Sequence, residues 1–127
     1  MKAFIAFKFN EDYSDRPFVE SVCSALERSG LETVVMVRDY EKWGESNYTT
    51  QELIQLTFEA IEACDLHIVE FTQKGVGLGI GAGYAYAKGK PVYLIAKDGS
   101  EISHTLQDIA KDVIFYSDPK ELETFRP

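Results

Sequence analysis

The sequence predicts a single α/β domain, in which helices cover both faces of a five-stranded parallel sheet. With 127 residues, 45% of them hydrophobic, the chain is long enough for one compact domain with a sizeable core. Short apolar runs rich in β-branched and aromatic residues alternate with longer stretches in which apolar residues recur at helical spacing. No internal repeat, linker or low-complexity tract divides the chain, so residues 1–127 are expected to form one domain.

The first strand and the first helix are predicted from the N-terminal thirty residues. Lys2–Phe9 is rich in Phe, Ile and Ala, which suits an inner strand. A turn cluster follows, and a helix should begin near Asp15 with Pro17 in its first turn. Apolar residues then recur at helical spacing up to Gly30, which should end this helix.

The second strand and the second helix are separated by a long loop. Leu31–Val37 is the predicted strand, with TVVMV at its centre. Arg38–Tyr48 is polar and aromatic and has no periodicity, which indicates a loop at the ligand end of the sheet. Thr49 and Glu52 form a capping-box pattern, which predicts the start of the next helix.

The second half of the chain supplies three more strands. Leu66–Phe71 and Val92–Ala96 are the apolar runs on either side of a glycine-rich stretch that leads into a helix. His104–Ala110 should be a short helix and Val113–Tyr116 the fifth strand. The Ser-Asp-Pro sequence ending at Pro119 should begin a terminal helix.

Strands that alternate with helices imply right-handed crossovers in a parallel sheet. The expected strand order is 2-1-3-4-5, the flavodoxin-like (Rossmann-like) arrangement, with its switch point between the first and third strands. Ligands of such sheets bind outside the carboxyl ends of the strands at the switch point. We therefore expect a ligand site between the loop after Phe9 and the loop after Phe71.

Composition and charge exclude several classes of partner. Thirteen basic and 21 acidic residues give a net charge of −8, which argues against a nucleic acid polymer or an anionic membrane as partner. A nucleotide is not excluded, because local backbone N–H groups can hold a phosphate on an acidic protein. The N-terminus is a poor signal peptide and Gly75–Ala87 is too short to span a bilayer, so we expect a cytoplasmic protein. Cys23 and Cys64 lack metal-ligand spacing and are expected to be reduced core residues; no metal or cofactor is expected.

A run of alternate glycines lies between the third and fourth strands, at positions 75, 77, 79, 81 and 83. Glycine at the mouth of a strand lets a ligand approach the backbone, and the following helix presents its N-terminal N–H groups there. The dinucleotide pattern G-x-G-x-x-G does not fit, because the sixth positions are Ile80, Ala82 and Tyr84. The P-loop pattern also fails, since Gly89-Lys90 is followed by Pro91.

This stretch resembles the nucleoside 2-deoxyribosyltransferases and the related nucleotide N-glycosidases. The matching segments are Val69-Glu70-Phe71-Thr72, Gly75-Val76-Gly77, Gly83-Tyr84-Ala85 and Gly89-Lys90-Pro91. The element order extends the resemblance loosely to nearly the whole chain. It implies a nucleoside or nucleotide as ligand, a sugar enclosed by the first strand's end and the glycine turn, and a homodimer.

The resemblance also places the family's nucleophile, a Glu two residues before Gly-Tyr-Ala, on Gly81. In the family that carboxylate forms a glycosyl-enzyme intermediate, and glycine has no side chain to do so. A second family position, acidic or hydroxyl-bearing, falls on Gly75, and a further substrate-binding carboxylate falls on or near Thr57. Three explanations remain open: a member that binds without cleaving, a substituted form of an active parent, or another carboxylate as nucleophile, with Glu70 the nearest candidate.

Several side chains carry alternative interpretations. Glu70 is either a catalyst or a strand-end residue that bonds a loop N–H, and Trp43 either stacks on a base or caps the core. Tyr84 fits the family motif but also suits a core position, and Ser103 resembles a serine that relatives lend across a dimer interface. The candidate substrate-binding residues are Phe7, Lys8, Asn10, Trp43, Thr72, Gly75, Gly77, Gly79, Tyr84 and Ser103.

The sequence therefore predicts a nucleoside- or nucleotide-binding protein of the deoxyribosyltransferase and N-glycosidase type, with transfer or hydrolysis impaired at Gly81. The alternative is a non-catalytic nucleotide-sensing or interaction module of the same fold. A flavin-binding module is disfavoured, because the first loop, FNEDYSD, lacks a phosphate cradle rich in Ser, Thr and Gly.

Overall fold

The computed structural model describes residues 1–127 and contains one five-stranded parallel sheet. The strand order is β2-β1-β3-β4-β5, which confirms the predicted fold class and order. The strands are β1 (Lys2–Ala6), β2 (Glu32–Val34), β3 (Leu66–Glu70), β4 (Val92–Lys97) and β5 (Asp112–Tyr116). The helices are α1 (Arg16–Arg28), α2 (Thr50–Ala63), α3 (Val76–Ala87) and α4 (His104–Ile109), and a 3₁₀ segment (Pro119–Thr124) follows β5.

The register of the central strands brings two loops side by side. In the β1–β3 pair, Ala6 lies opposite Val69, and in the β3–β4 pair Glu70 lies opposite Ile95. The segments that follow β1 and β3 therefore leave the same edge of the sheet as neighbours. This edge is the switch point, where the chain turns toward β2 on one side and β4 on the other.

Each face of the sheet is covered by its own core. On one face α1 and the C-terminal 3₁₀ segment pack over a cluster of 16 buried residues that includes Ile5 and Tyr116. On the other face α2, α3 and α4 pack over 12 buried residues that include Phe4 and Val69. Ile5 and Phe4 point to opposite faces because successive strand residues alternate. Helices thus lie on both faces, as predicted.

The helix boundaries follow the predicted signals in α1 and α2. Pro17 lies in the first turn of α1, and Gly30 follows its end with a φ of 110°, a conformation that glycine adopts without strain. At α2 the Thr49 hydroxyl accepts a hydrogen bond from the Glu52 N–H, and the Glu52 carboxylate accepts one from the Thr49 N–H. The predicted capping box is confirmed.

Two strands are shorter than the sequence predicted. β1 ends at Ala6 rather than Phe9, and β2 ends at Val34 rather than Val37. After β2 the chain enters a π-helical turn, Met36–Tyr40. The Val35 N–H donates to the Asp39 carboxylate of this turn, so it is not available to extend β2. The predicted irregular loop therefore contains ordered turns.

The glycine stretch is helical from Val76 onward, whereas the sequence predicted a glycine-rich turn before the helix. Gly75 is the last non-helical residue, with a φ of −163°, and α3 begins at Val76. Four glycines, at positions 77, 79, 81 and 83, therefore lie inside a helix. Tertiary packing of Leu78, Ala82 and Ala85 on the sheet outweighs their poor helix propensity.

Both cysteines, Cys23 and Cys64, are buried and unpaired, as predicted. None of the helices combines the length and the apolar character that crossing a bilayer requires.

Candidate functional site

The main cavity lies at the carboxyl end of β1 and has a volume of about 450 Å³. Its walls come from the end of β1 and the residues after it, from 35–37 after β2, from the first two turns of α2, and from Gly75, Gly77 and Leu78 at the start of α3. Eleven of its 19 lining residues are hydrophobic. The cavity therefore occupies the switch point and has the apolar lining typical of a small-molecule site.

A second, more polar cavity of about 200 Å³ adjoins the main one. The two share Phe7, Lys8, Asn10 and Asp15, so they meet around the end of β1. The walls that belong to the second cavity alone come from the ends of β3 and β4 and from α1: Phe18, Glu70, Thr72, Gln73 and Lys97. Together the two cavities form one cleft with an apolar part and a polar part.

Glu41 is the site residue that the sequence reasoning missed. It is 7% exposed, lines the main cavity, and belongs to the segment that was expected to be an irregular loop. Burial raises the pKa of its carboxyl above the ordinary value, and no neighbouring charge or hydrogen bond offsets this. An acidic residue shortly after a strand's carboxyl end was the signal in the sequence that could have identified it. Its carboxyl group is available to a ligand.

Glu70 is buried, and both of its carboxylate oxygens accept hydrogen bonds. Its carboxylate accepts from the Thr72 N–H at 2.9 Å, from the Thr72 hydroxyl at 2.6 Å and from the Tyr116 hydroxyl. Burial and the bond to Glu70 raise the pKa of Tyr116. The structure thus places Glu70 as the anchor of the loop after β3.

Gly81 lies on the buried side of α3, one turn beyond the cavity-lining residue Leu78. A Cβ atom built on Gly81 would lie 3.6 Å from His67 Nε2 and 3.8 Å from Ile61 Cδ1, both ordinary contact distances. No carboxylate occupies this position in the chain. The helix could therefore accept a Cβ atom at position 81, but glycine supplies none.

His67 faces Gly81 from β3. Its Nδ1 lies 3.0 Å from the Phe4 carbonyl oxygen, and its ring stacks on Phe4. Burial lowers its pKa to about 4, so the ring is neutral near pH 7 and Nδ1–H donates to that carbonyl. Nε2 is buried without a hydrogen-bond partner and presents its lone pair toward Gly81.

The segment before α3 supplies free backbone donors to the cleft. The N–H groups of residues 73–77 have no acceptor within the chain, and the first backbone bonds of α3 run from Leu78 and Gly79 to the Gly75 carbonyl. Gly75 and Gly77 line the main cavity, and Gln73 lines the second one. This edge can bind oxygen atoms of a ligand, because helix N-termini present N–H groups and a positive dipole end.

The structure brings only some of the predicted site residues together. Phe7, Lys8, Asn10, Gly75 and Gly77 line the main cavity, and Thr72 lines the second one beside Glu70. Five others line neither cavity: Trp43, Gly79, Gly81, Tyr84 and Ser103.

Three of the side chains that line neither cavity have contacts elsewhere in the fold. Tyr84 stacks on Phe58 with ring centres 4.0 Å apart and donates its hydroxyl to Glu62. Trp43 lies 4.6 Å beneath the Arg16 guanidinium and packs against the core under α1. Ser103 caps the N-terminus of α4.

Many solved structures share this fold, including the following three. A CMP N-glycosidase from Clostridium botulinum has a TM-score of 0.67 and 22% identity, over 95% of this chain and 93% of that one. A 2-deoxyribosyltransferase from Bacillus psychrosaccharolyticus has a TM-score of 0.74 and 18% identity, over 99% and 93%. A conserved protein from Enterococcus faecalis V583 has a TM-score of 0.72 and 17% identity, over 97% and 94%. At these identities the similarity establishes the fold alone.

No curated protein sequence matches the chain. The family model described as nucleoside 2-deoxyribosyltransferase, however, matches residues 6–115. This match begins at the last residue of β1, includes the glycine helix and nearly all of β5, and covers every residue that lines the two cavities except Phe4 and Ile5. The chain belongs to the nucleoside 2-deoxyribosyltransferase family.

Proposed function

We propose that the protein binds a nucleoside or nucleotide in the main cavity, and that its own cleavage or transfer at the N-glycosidic bond is severely impaired. The observation that carries this proposal is Gly81, which lies one helical turn beyond the cavity-lining residue Leu78, has room for a Cβ atom and supplies no carboxylate. Family membership supports the ligand class.

The two sides of the cavity suit the two parts of such a ligand. Met36, Leu53 and Ile54 form an apolar wall for a flat base, and the buried Glu41 carboxyl beside them can hydrogen-bond its polar edge. Gly75 and Gly77, with the free N–H groups of their segment, suit the hydroxyl oxygens of the sugar. The glycines allow this approach because no Cβ stands between backbone and ligand.

The chemistry in an active relative needs a carboxylate at position 81. Its oxygen forms a bond to the anomeric carbon as the bond to the base nitrogen breaks, and the base leaves with that electron pair and takes up a proton. Water or a second base then displaces the carboxylate. A helical side chain leans toward the N-terminus of its helix, so a Glu introduced at position 81 would extend toward Leu78 and the cavity.

A non-catalytic sensing or interaction module is the second candidate function. It is favoured by the occupation of Glu70, whose carboxylate is held by three hydrogen bonds and is not free to attack. Glu41 is then the remaining carboxyl group in the main cavity without a hydrogen-bond partner, and in a sensing module it would bind rather than react.

Base release from a panel of deoxynucleosides and deoxynucleotides tests the proposal. The native chain, Gly81→Glu and the control Gly83→Glu are compared; Gly83 is exposed on the outside of α3, where a Cβ meets no neighbour within 4 Å. We expect base release from Gly81→Glu alone. Release by the native chain would mean that another carboxylate is the nucleophile, and Glu41→Gln and Glu70→Gln would then identify it. Tight binding without release by any variant would support the sensing module.

We also propose a homodimer that covers the outer face of α3. Val76 is 83% exposed and Ile80 is 47% exposed on this helix, which carries no charged side chain. An apolar helix surface of this kind is usually buried against a partner. Sedimentation velocity of the native chain and of Ile80→Glu checks this: the native chain should sediment as a dimer and the variant as a monomer.

A further inference from the structure

We propose that the second cavity binds the phosphate group of a nucleoside monophosphate, so that the protein selects nucleotides over nucleosides. This inference rests on the proposed function, because the base and sugar of the same ligand would lie in the main cavity. It goes further by assigning the phosphate to a site formed chiefly by two lysines.

The two lysines come from different strand ends and line the same cavity. Lys8 follows β1, and Lys97 is the last residue of β4. Neither forms an ion pair, although the chain carries a net charge of −8 and seven other ion pairs are formed. Two unpaired ammonium groups at one cavity favour an anion as ligand.

Aromatic rings hold one of these ammonium groups at the cavity. Lys97 Nζ lies 4.5 Å from the centre of the Phe18 ring, which in turn packs edge-to-face on Phe7 at 6.1 Å. Both rings line the cavity. The face of an aromatic ring attracts a cation without neutralising it, so Lys97 is positioned and keeps its charge for a ligand.

The carboxylates of the same cavity already have donors of their own. Asp15 accepts a hydrogen bond from the Asn10 side chain at 2.9 Å, and Glu70 is held by Thr72 and Tyr116. The Gln73 side chain and backbone N–H, by contrast, bond to no other residue of the chain. The free donors at this cavity are two ammonium groups, the Gln73 side-chain NH₂ and the Gln73 backbone N–H, and they outnumber the free acceptors.

The position of the cavity identifies the anion as part of a larger ligand. The Lys8 side chain passes the glycine edge, since its Cγ lies 3.8 Å from a Cβ built on Gly75. A sugar bound at Gly75 would thus have Lys8 beside it and Lys97 beyond. A phosphate ester on that sugar fits both lysines, because it carries up to two negative charges and three terminal oxygens.

Calorimetric titration of a deoxynucleoside and its 5′-monophosphate against the native chain, Lys97→Met and Lys8→Met tests the inference. We expect the native chain to bind the monophosphate at least about tenfold more tightly, which is what one charge-assisted hydrogen bond contributes. Each substitution should reduce this preference by about tenfold. Lys97→Met should leave nucleoside affinity unchanged, because Lys97 lines the second cavity alone, whereas Lys8 also lines the main cavity and its substitution is judged by the preference only. Lys111→Met is the matched control, because Lys111 also lies over a ring, 5.9 Å from that of Tyr93, but at the opposite end of the sheet. Lys111→Met should leave the affinities for the nucleoside and for the monophosphate unchanged.

The outcomes separate this inference from the proposed function. Equal affinity for the two ligands, or an equal loss of both in Lys97→Met, would overturn the phosphate site while nucleoside binding stands. If neither ligand binds, the proposed function fails, and inorganic phosphate is then titrated alone. In this phosphate titration, amide chemical-shift changes at Gln73 and Lys97 of the native chain, with no change at Gln73 in Lys97→Met, would support the anion site. The absence of such changes in the native chain would overturn it.

Discussion

Replacement of Gly81 by Ala should stabilise the protein, although the sequence resemblance assigns the family's nucleophile to this position. Alanine is favoured over glycine by about 1 kcal/mol in a helix interior. The added methyl group would be buried, with its contacts to His67 Nε2 and Ile61 Cδ1 at 3.6 Å and 3.8 Å, and burial of one such group contributes about 0.8 kcal/mol. We therefore expect the free energy of unfolding to rise by about 1.8 kcal/mol.

Urea unfolding followed by circular dichroism measures this change, with Gly83→Ala as the control. Gly83 lies two residues further along α3, and a Cβ there meets no neighbour, so only the gain of about 1 kcal/mol in helix propensity is expected. The difference between the two variants isolates the burial contribution. A Gly81→Ala protein less stable than the native one would refute the reasoning, because it would show that the space beside His67 Nε2 is filled, for instance by a bound water.

Three further outcomes are expected. His67 titrates with a pKa of about 4 in the folded protein and near 6.5 when unfolded, so the unfolded state binds more protons between these values and stability falls as the pH is lowered through them. Between pH 7 and pH 4.5, the free energy of unfolding from urea titrations should fall by about 2 kcal/mol more in the native chain than in His67→Leu. An equal fall in the two proteins would contradict the burial of a neutral His67. Glu70→Gln should lower the free energy of unfolding by about 2 kcal/mol, because an amide replaces a carboxylate that accepts three hydrogen bonds, whereas an unchanged midpoint would mean that this network contributes nothing. Tyr84→Phe should leave nucleotide affinity unchanged in calorimetry, since the Tyr84 hydroxyl bonds Glu62 outside the cleft; a tenfold loss would place Tyr84 in the site.

The fold was predictable because its signals are local. The capping box at Thr49, Pro17 in the first turn of α1 and Gly30 after its end each act within a few residues. The apolar runs then define five strands, and the rule of right-handed crossovers leaves few orders for them. The strand order followed from these features without knowledge of any long-range contact.

The site was less predictable because it depends on contacts between distant residues. Glu41 is buried only because the π-helical turn after β2 carries it over the cavity, and the Asp39 bond that starts this turn is not evident from periodicity. Tyr84 matched a family motif, but its place on α3 turns it toward Phe58 and Glu62 instead of the cleft. Spacing identified the segments that surround the cleft, but not which of their side chains line it.

The glycine content of α3 also determines how this helix moves. Its four internal glycines together cost about 3–4 kcal/mol of helix propensity relative to alanine, so α3 persists only while Leu78, Ala82 and Ala85 remain packed on the sheet. Such a helix is expected to open locally, and its amide hydrogens should exchange with solvent earlier than those of α1. A ligand held by Gly75 and Gly77 would bind the closed form alone and would slow this exchange in proportion to its affinity. Ordering of one wall of the cleft is thus part of the binding equilibrium.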